Sequence, residues 1–290
     1  MSTTTLKMIA LIFMTIDHIG VFIPGTPIAF RWVGRISAPI FLFCTVYGFN
    51  YTSNKELYLK RLYYFSMSMG IVRYCLNTFT ESIYQTIHNN FFHTLFCIVF
   101  FLYILELKES RSKKLILQFY FLWQLITVVY FMRSSLLYWN DSLIKEVIAP
   151  ITGSLYGVEG GILFFLLGLI IYFTKNNKRQ LIFFYLSFAL IVNIIELTNI
   201  IVRIRYRIDR FHQLSEYYVE FFENVVNINA VWFRQITPHY SFNFDYQWMM
   251  IAAIPFFLLY NHQKGHGYKY FFFFYPLHIV FLFVAGNVFL

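Results

Sequence analysis

Charge is what this sequence has least of. Lys, Arg, Asp and Glu make up 13% of its 290 residues, against 59% hydrophobic. A soluble domain carries about a quarter charged residues, so the composition excludes an ordinary soluble fold and points to a polytopic membrane protein. Cysteine is scarce too. Cys44, Cys75 and Cys97 stand apart inside apolar runs and form no CxxC, which excludes a disulfide framework and a cysteine zinc site. The sequence holds no P-loop, no dinucleotide-binding glycine pattern, no HExxH and no GxSxG. ATP-driven pumps, zincins and α/β-hydrolases are thereby removed. No small-residue cleavage site follows the first apolar run, so that run is expected to be retained as a helix.

What is present is a series of long apolar runs. Nine candidate spans cover 6–23, 36–51, 62–79, 91–107, 115–131, 155–173, 181–202, 248–260 and 270–290. Apolar segments of about 20 residues match a hydrocarbon core of about 30 Å. The expected fold is therefore all-α: one transmembrane helix bundle over 1–290, with the eighth run short enough to be re-entrant. With the N-terminus in the cytoplasm, 13 basic residues fall inside: Lys7, Lys55, Lys60, Arg61, Lys108, Arg111, Lys113, Lys114, Lys175, Lys178, Arg179, Lys264 and Lys269. The short outer connections hold only Arg31, Arg35, Arg133 and Lys145. That asymmetry sets the orientation, and nine spans put the C-terminus outside. The net charge of +9 thus reads as a topology signal rather than a nucleic-acid footprint. One outer connection, 203–247, is long and aromatic. Arg203, Arg205, Arg207 and Arg210 suit an amphipathic helix at the lipid headgroups, and the same stretch could instead cover an acceptor site.

Polar residues inside the apolar runs are the candidates for chemistry, because an ionisable group in a span costs at least ~2.5–3.5 kcal/mol unless it is paired or lines a cavity. Asp17 and His18 are neighbours, so on a helix their side chains diverge by about 100° and need partners from different helices. Arg35, at the mouth of the second span, is the expected bidentate partner of Asp17. His18 would then be left free as a general base. The other reading puts both residues at the headgroup boundary, bonded to water. His278 lies in the last span just after Pro276, where the ladder of backbone bonds is open. Arg73, His93, Glu159 and the set Asn193, Glu196 and Asn199 are further buried polar candidates, with Gly157, Gly160 and Gly161 breaking the helix around Glu159. His262 and His266 sit among glycines in a loop, so no metal site is expected there.

Read in order, LKMIALIFMTIDHIG, RWVGRISAPIFLF, YGFNYTSNKELYLKRL, NNFFHTL, LYGVEGGILF and NHQKGHGYKYFFFFYPLHIVFL resemble the blocks of the TraX family. These are integral-membrane acetyltransferases named for F-pilin N-acetylation and similar in logic to the acyltransferase-3 group. The resemblance implies acetyl transfer from acetyl-CoA to an amine or hydroxyl in a bacterial cell membrane. It carries over Asp17, His18, Arg35, Tyr275 and His278 as site residues, with Gly34, Pro39 and Gly48 as structural companions. Lys60, Arg61 and Lys264 lie on the cytoplasmic side, where CoA phosphates arrive. Three departures stand out: GIVRYC at 70–75, His93, and the length of 203–247. Each could alter the acceptor.

The resulting expectation is a membrane acetyltransferase with no metal. Acetyl-CoA and a membrane-associated acceptor (peptide, glycan or lipid headgroup) are its partners. His18 or His278 acts as base or acetyl relay, and His93, Arg73 and Glu159 contact the acceptor. The rival from another class is a small transporter or ligand-binding protein using the buried Asp17, Arg35 and Glu196.

Overall fold

The computed structural model describes residues 1–79, 86–87, 90–137, 141–231, 247–263, 265 and 271–288. Every described regular element is a helix. Chain order gives α1 (Thr3–Phe22), α2 (Ala29–Tyr51), α3 (Lys55–Phe79), α4 (Phe91–Leu105) and α5 (Arg111–Leu137). A short α6 (Asp141–Leu143) then runs through a π-helical turn, Ile144–Ile148, into α7 (Ala149–Thr152). The second half holds α8 (Gly161–Thr174), α9 (Lys178–Leu197), α10 (Ile200–Ile208) and α11 (His212–Phe221). A 3-10 turn, Gln247–Ala253, leads into α12 (Ile254–Leu258), and α13 (Phe271–Val288) follows.

Four helices, α1, α2, α5 and α9, are long and apolar enough to cross a membrane, and further apolar helices of 10–17 residues pack with them. This is a membrane protein by its helices, since a backbone in lipid must satisfy its polar groups internally. α4 is apolar on all sides and buried along most of its length, as expected of a helix surrounded by others. α5 exposes Phe119, Phe121, Leu122 and Leu125, which suits lipid contact. The main core runs from Leu6 and Ala10 through Ile40, Val99 and Leu167 to Ile279 and Phe283, so the two ends of the chain share it.

Helix ends are fixed by local chemistry. The Ser2 hydroxyl accepts from Thr5 N at 3.2 Å, and Asn177 caps α9 through Arg179 N and Gln180 N, each satisfying an orphan first-turn donor. Two boundaries differ from the hydropathy reading. The run expected to be helical from 155 becomes helix only at Gly161, because Gly157, Gly160 and Gly161 all take positive φ. The run 181–202 is broken at Asn199, which adopts φ 53° and starts α10 in a new direction. Asparagine tolerates that left-handed turn better than other non-glycine residues.

The connections sort to two ends of the bundle. At one end the Met1 amine donates to Leu259 O at 2.5 Å, Lys178 donates to Tyr260 O at 3.2 Å, Lys55 pairs with Glu106, and Tyr47 Oη donates to Lys175 O at 2.7 Å. The loops expected to be cytoplasmic therefore meet one another. At the other end lie the α1–α2 connection, the 155–160 stretch and the end of α11.

Candidate functional site

The α1–α2 hairpin builds the first half of the site. Gly34 rests directly on Asp17, and a Cβ at Gly34 would overlap that side chain. Close approach brings both guanidiniums of α2 onto the carboxylate: Arg31 Nη1 donates to Asp17 Oδ1 at 2.6 Å, and Arg35 Nη2 stands 3.6 Å from Oδ2. Arg31 also donates to the Asp17 carbonyl at 3.2 Å. The expected Asp17–Arg35 pair is thus corrected to a shared carboxylate whose tighter partner is Arg31. The signal for it was present: Arg31 and Arg35 are four apart, so both lie on the α2 face turned to α1. One carboxylate between two guanidiniums leaves the cluster with one net positive charge.

His18 points the other way, to α13. Its Nδ1 lies 2.7 Å from His278 Nε2, and His278 Nδ1 lies 2.8 Å from the Phe274 carbonyl oxygen. The ring planes are 19° apart and their centres 4.9 Å apart. That exceeds the nitrogen contact by about one ring's width, so the two imidazoles meet edge to edge with the bond in both ring planes. The carbonyl fixes both tautomers. Phe274 O can only accept, so His278 carries its proton on Nδ1 and offers Nε2 as acceptor. Neutral His18 must then donate from Nδ1, leaving a lone pair on Nε2. His18 is consequently engaged on one nitrogen rather than free, as the sequence reading had it.

A cavity of about 390 Å³ opens against this pair. α1 and α2 line it with Asp17, His18 and Arg35, α3 with Arg73, and α13 with Tyr275. The 157–160 stretch contributes Glu159. The structure therefore brings together Asp17, His18, Arg35, Arg73, Glu159 and Tyr275, with His278 directly behind His18. Tyr275 Oη accepts from Phe91 N at 3.0 Å and lies within hydrogen-bonding reach of Glu159. Arg73 is held from behind: its Nη2 is 3.6 Å from Glu146 Oε1, and its Nε donates to Ile87 O at 3.2 Å. Asn77 donates to the same Glu146 oxygen at 2.9 Å. A Cβ at Gly70 would overlap the Glu146 carbonyl, so Gly70 and Arg73 of the divergent GIVRYC stretch both serve this contact.

Other expected site residues lie elsewhere. His93 is 1% exposed and belongs to the interior of α4 rather than the cavity wall, because that helix is enclosed on all sides. Lys60 is exposed and pairs with Glu56 at 2.5 Å on the outer face of α3. That ammonium holds Glu56 below the usual carboxylate range. Arg61 is also exposed, and neither residue lines the cavity. Lys264 lies outside the described residues, as do His266 and 232–246 of the long outer connection. Among the described residues no group of three His, Cys, Asp or Glu could hold a metal ion.

Sequence reasoning missed Arg31 and Lys145 and named the 203–247 connection only as a whole, as a possible cover of an acceptor site, without singling out Glu223, Asn224, Asn227 and Gln247. These polar residues come from connections, where no hydrophobic period marks them. The 222–231 stretch is docked onto the Glu159 stretch by Gly157 N donating to Asn224 O at 2.8 Å. Gly161 sits so close to the Val226 carbonyl that a side chain there would displace it.

The fold and cavity define a membrane-embedded helical protein with a polar, imidazole-bearing site at one end of its bundle. The sequence matches the family model of the TraX protein over residues 2–149, just over half of the chain. The chain belongs to the TraX family. No curated protein and no solved structure matches it.

Proposed function

We infer that the chain is a membrane acetyltransferase that moves an acetyl group from acetyl-CoA to a hydroxyl or amine bound in the cavity. The observation that carries this reading is the Phe274–His278–His18 chain, which leaves an unprotonated nitrogen toward a cavity beside a net positive cluster. Association of the TraX family with F-pilin acetylation points the same way. In the reaction the acceptor heteroatom bonds to the thioester carbonyl carbon while its proton passes to His18 Nε2. The carbonyl oxygen, negative in the tetrahedral intermediate, is met by the guanidinium of Arg35. The carbon–sulfur bond then breaks, and the CoA thiolate takes the proton back as a thiol. His278 is a positioning residue that holds the His18 tautomer.

In this reading the apolar helices cross a cell membrane, the short eighth run only in part, and the basic connections face the cytoplasm, where acetyl-CoA is met. The test is free-thiol release from acetyl-CoA by detergent-purified protein. Wild type is expected to release CoA, and His18→Ala to lose at least 100-fold with an unchanged melting temperature. No release and no acetyl-CoA binding at millimolar donor would overturn the reading.

A further inference from the structure

The cavity lining has two parts of different origin. The wall that carries the imidazole and the guanidiniums comes from the family-matched half of the chain, residues 2–149. A second part of the lining, Glu223, Asn224, Asn227 and Gln247, lies beyond that half. We propose that this second wall is the acceptor subsite and that it selects a neutral, hydroxyl-rich acceptor such as a sugar ring. The proposal rests on the acetyl-transfer reading and names its acceptor class.

Three features of the wall argue for this. The first is charge. The cavity is lined by Arg35, Arg73 and Lys145 against Asp17, Glu159 and Glu223, three charges of each sign. A lining with no excess of negative charge, backed by Arg31 on Asp17, exerts no net pull on an ammonium.

The second is hydrogen-bonding type. Among the described residues the side-chain amides of half-buried Asn224 and exposed Asn227 have no protein hydrogen-bond partner, and Gln247 Oε1 is buried without a donor. Each Asn amide offers both a donor and an acceptor, and Gln247 Oε1 an acceptor. A hydroxyl does both at one atom, whereas an ammonium only donates and a carboxylate only accepts. A mixed wall therefore matches hydroxyls. A buried amide oxygen with no partner costs about 1–3 kcal/mol until a donor reaches it, so the site is built to be completed by a ligand.

The third is construction. Asn227 holds φ 64° at the end of the π-helical turn Phe222–Val226. Ile228 N donates to Phe222 O at 2.8 Å and so closes that turn. Glu223 Oε1 accepts from Ala230 N at 3.4 Å. The turn is thus pinned at both its own base and the Glu159 stretch, with its amides at the cavity. Phe41, Phe91 and Phe164 supply apolar faces to the lining, and about 390 Å³ falls within the range of small-molecule sites.

The experiment supplies detergent-purified full-length protein with acetyl-CoA and either methyl glucoside or glycinamide, and measures acetylated product by mass spectrometry. The expected result is acetylation of the glucoside in preference to the amine. Asn224→Ala and Gln247→Ala should each raise the glucoside KM about tenfold while kcat is largely kept. Asn224→Asp and Gln247→Glu preserve shape but exchange amide donors for negative charge, and should shift preference toward glycinamide. Acetylation of glycinamide alone, or CoA release that the glucoside does not accelerate, would overturn the proposal while leaving acetyl transfer standing. Failure to bind acetyl-CoA would remove both.

Discussion

At the scale of single residues the site turns on which atom of which ring carries a proton. Because the Phe274 carbonyl sits 2.8 Å from His278 Nδ1, the orientation of His18 is inherited from a backbone atom on another helix. Removing His278 should therefore cost rate without costing donor binding. His278→Ala is expected to lower kcat about 10–100-fold, within the range for a misplaced general base, at unchanged KM for acetyl-CoA. A structural role alone would not move the tautomer, so ¹⁵N chemical shifts of His18 provide the check: protonation at Nδ1 in the wild type and a redistributed proton in the variant. Asp17 makes a different kind of contribution. Its side chain is 11% exposed and faces two guanidiniums, so Asp17→Asn leaves two half-buried like charges side by side with no carboxylate between them. Breaking a buried pair costs about 3–5 kcal/mol, which a melt in detergent should read as a large drop in melting temperature. Arg31→Met combined with Asp17→Asn should recover part of that loss.

Elements explain why some of this was legible in the sequence and some was not. Most apolar runs fell largely on helices, because lipid or a buried core demands the same unbroken hydrophobic stretch, though only four of those helices are long and apolar enough to cross a membrane. The divergence of Asp17 and His18 followed from helix geometry, and the structure does send them to α2 and α13. Breaks inside apolar runs were harder. Glycine at 157, 160 and 161 announced one of them, but at 198–199 the only sign was an asparagine among helix formers. The α9–α10 corner makes a prediction of its own. Asn199→Gly should be tolerated, whereas Asn199→Val forces a β-branched residue to φ 53° and should cost about 1–2 kcal/mol, read again by thermal melt. How the 222–231 stretch docks was illegible for another reason, although its connection had been named as a possible cover of the site. Its contacts are backbone-to-backbone, as in Gly157 N to Asn224 O, and such pairing leaves no mark on residue type. Gly161→Val, which displaces the Val226 carbonyl, should free this stretch and speed its cleavage in limited proteolysis.

For the molecule as a whole, the connections near Lys55, Glu106, Lys175 and Tyr260 gather at one end, and the cavity with its polar wall lies toward the other. Among the short connections the basic residues belong mainly to the first end, so the orientation proposed from the positive-inside rule would turn the cavity end away from the cytoplasm. Under the proposed acetyl transfer and this orientation, donor and acceptor would reach the protein from opposite faces of the membrane. That arrangement is testable without any knowledge of activity. In a background with Cys44, Cys75 and Cys97 replaced by serine or alanine, Ser53→Cys marks the α2–α3 connection and Asn227→Cys marks the cavity rim. Both parent residues are exposed. A membrane-impermeant maleimide applied to sealed cells should label the cysteine at 227 and spare the one at 53 until the membrane is opened. The reverse pattern would put the cavity and the arginines of α10 in the cytoplasm, on the same side as acetyl-CoA. The acceptor would then be a cytoplasmic molecule, and a bound donor could reach His18 without crossing the bundle.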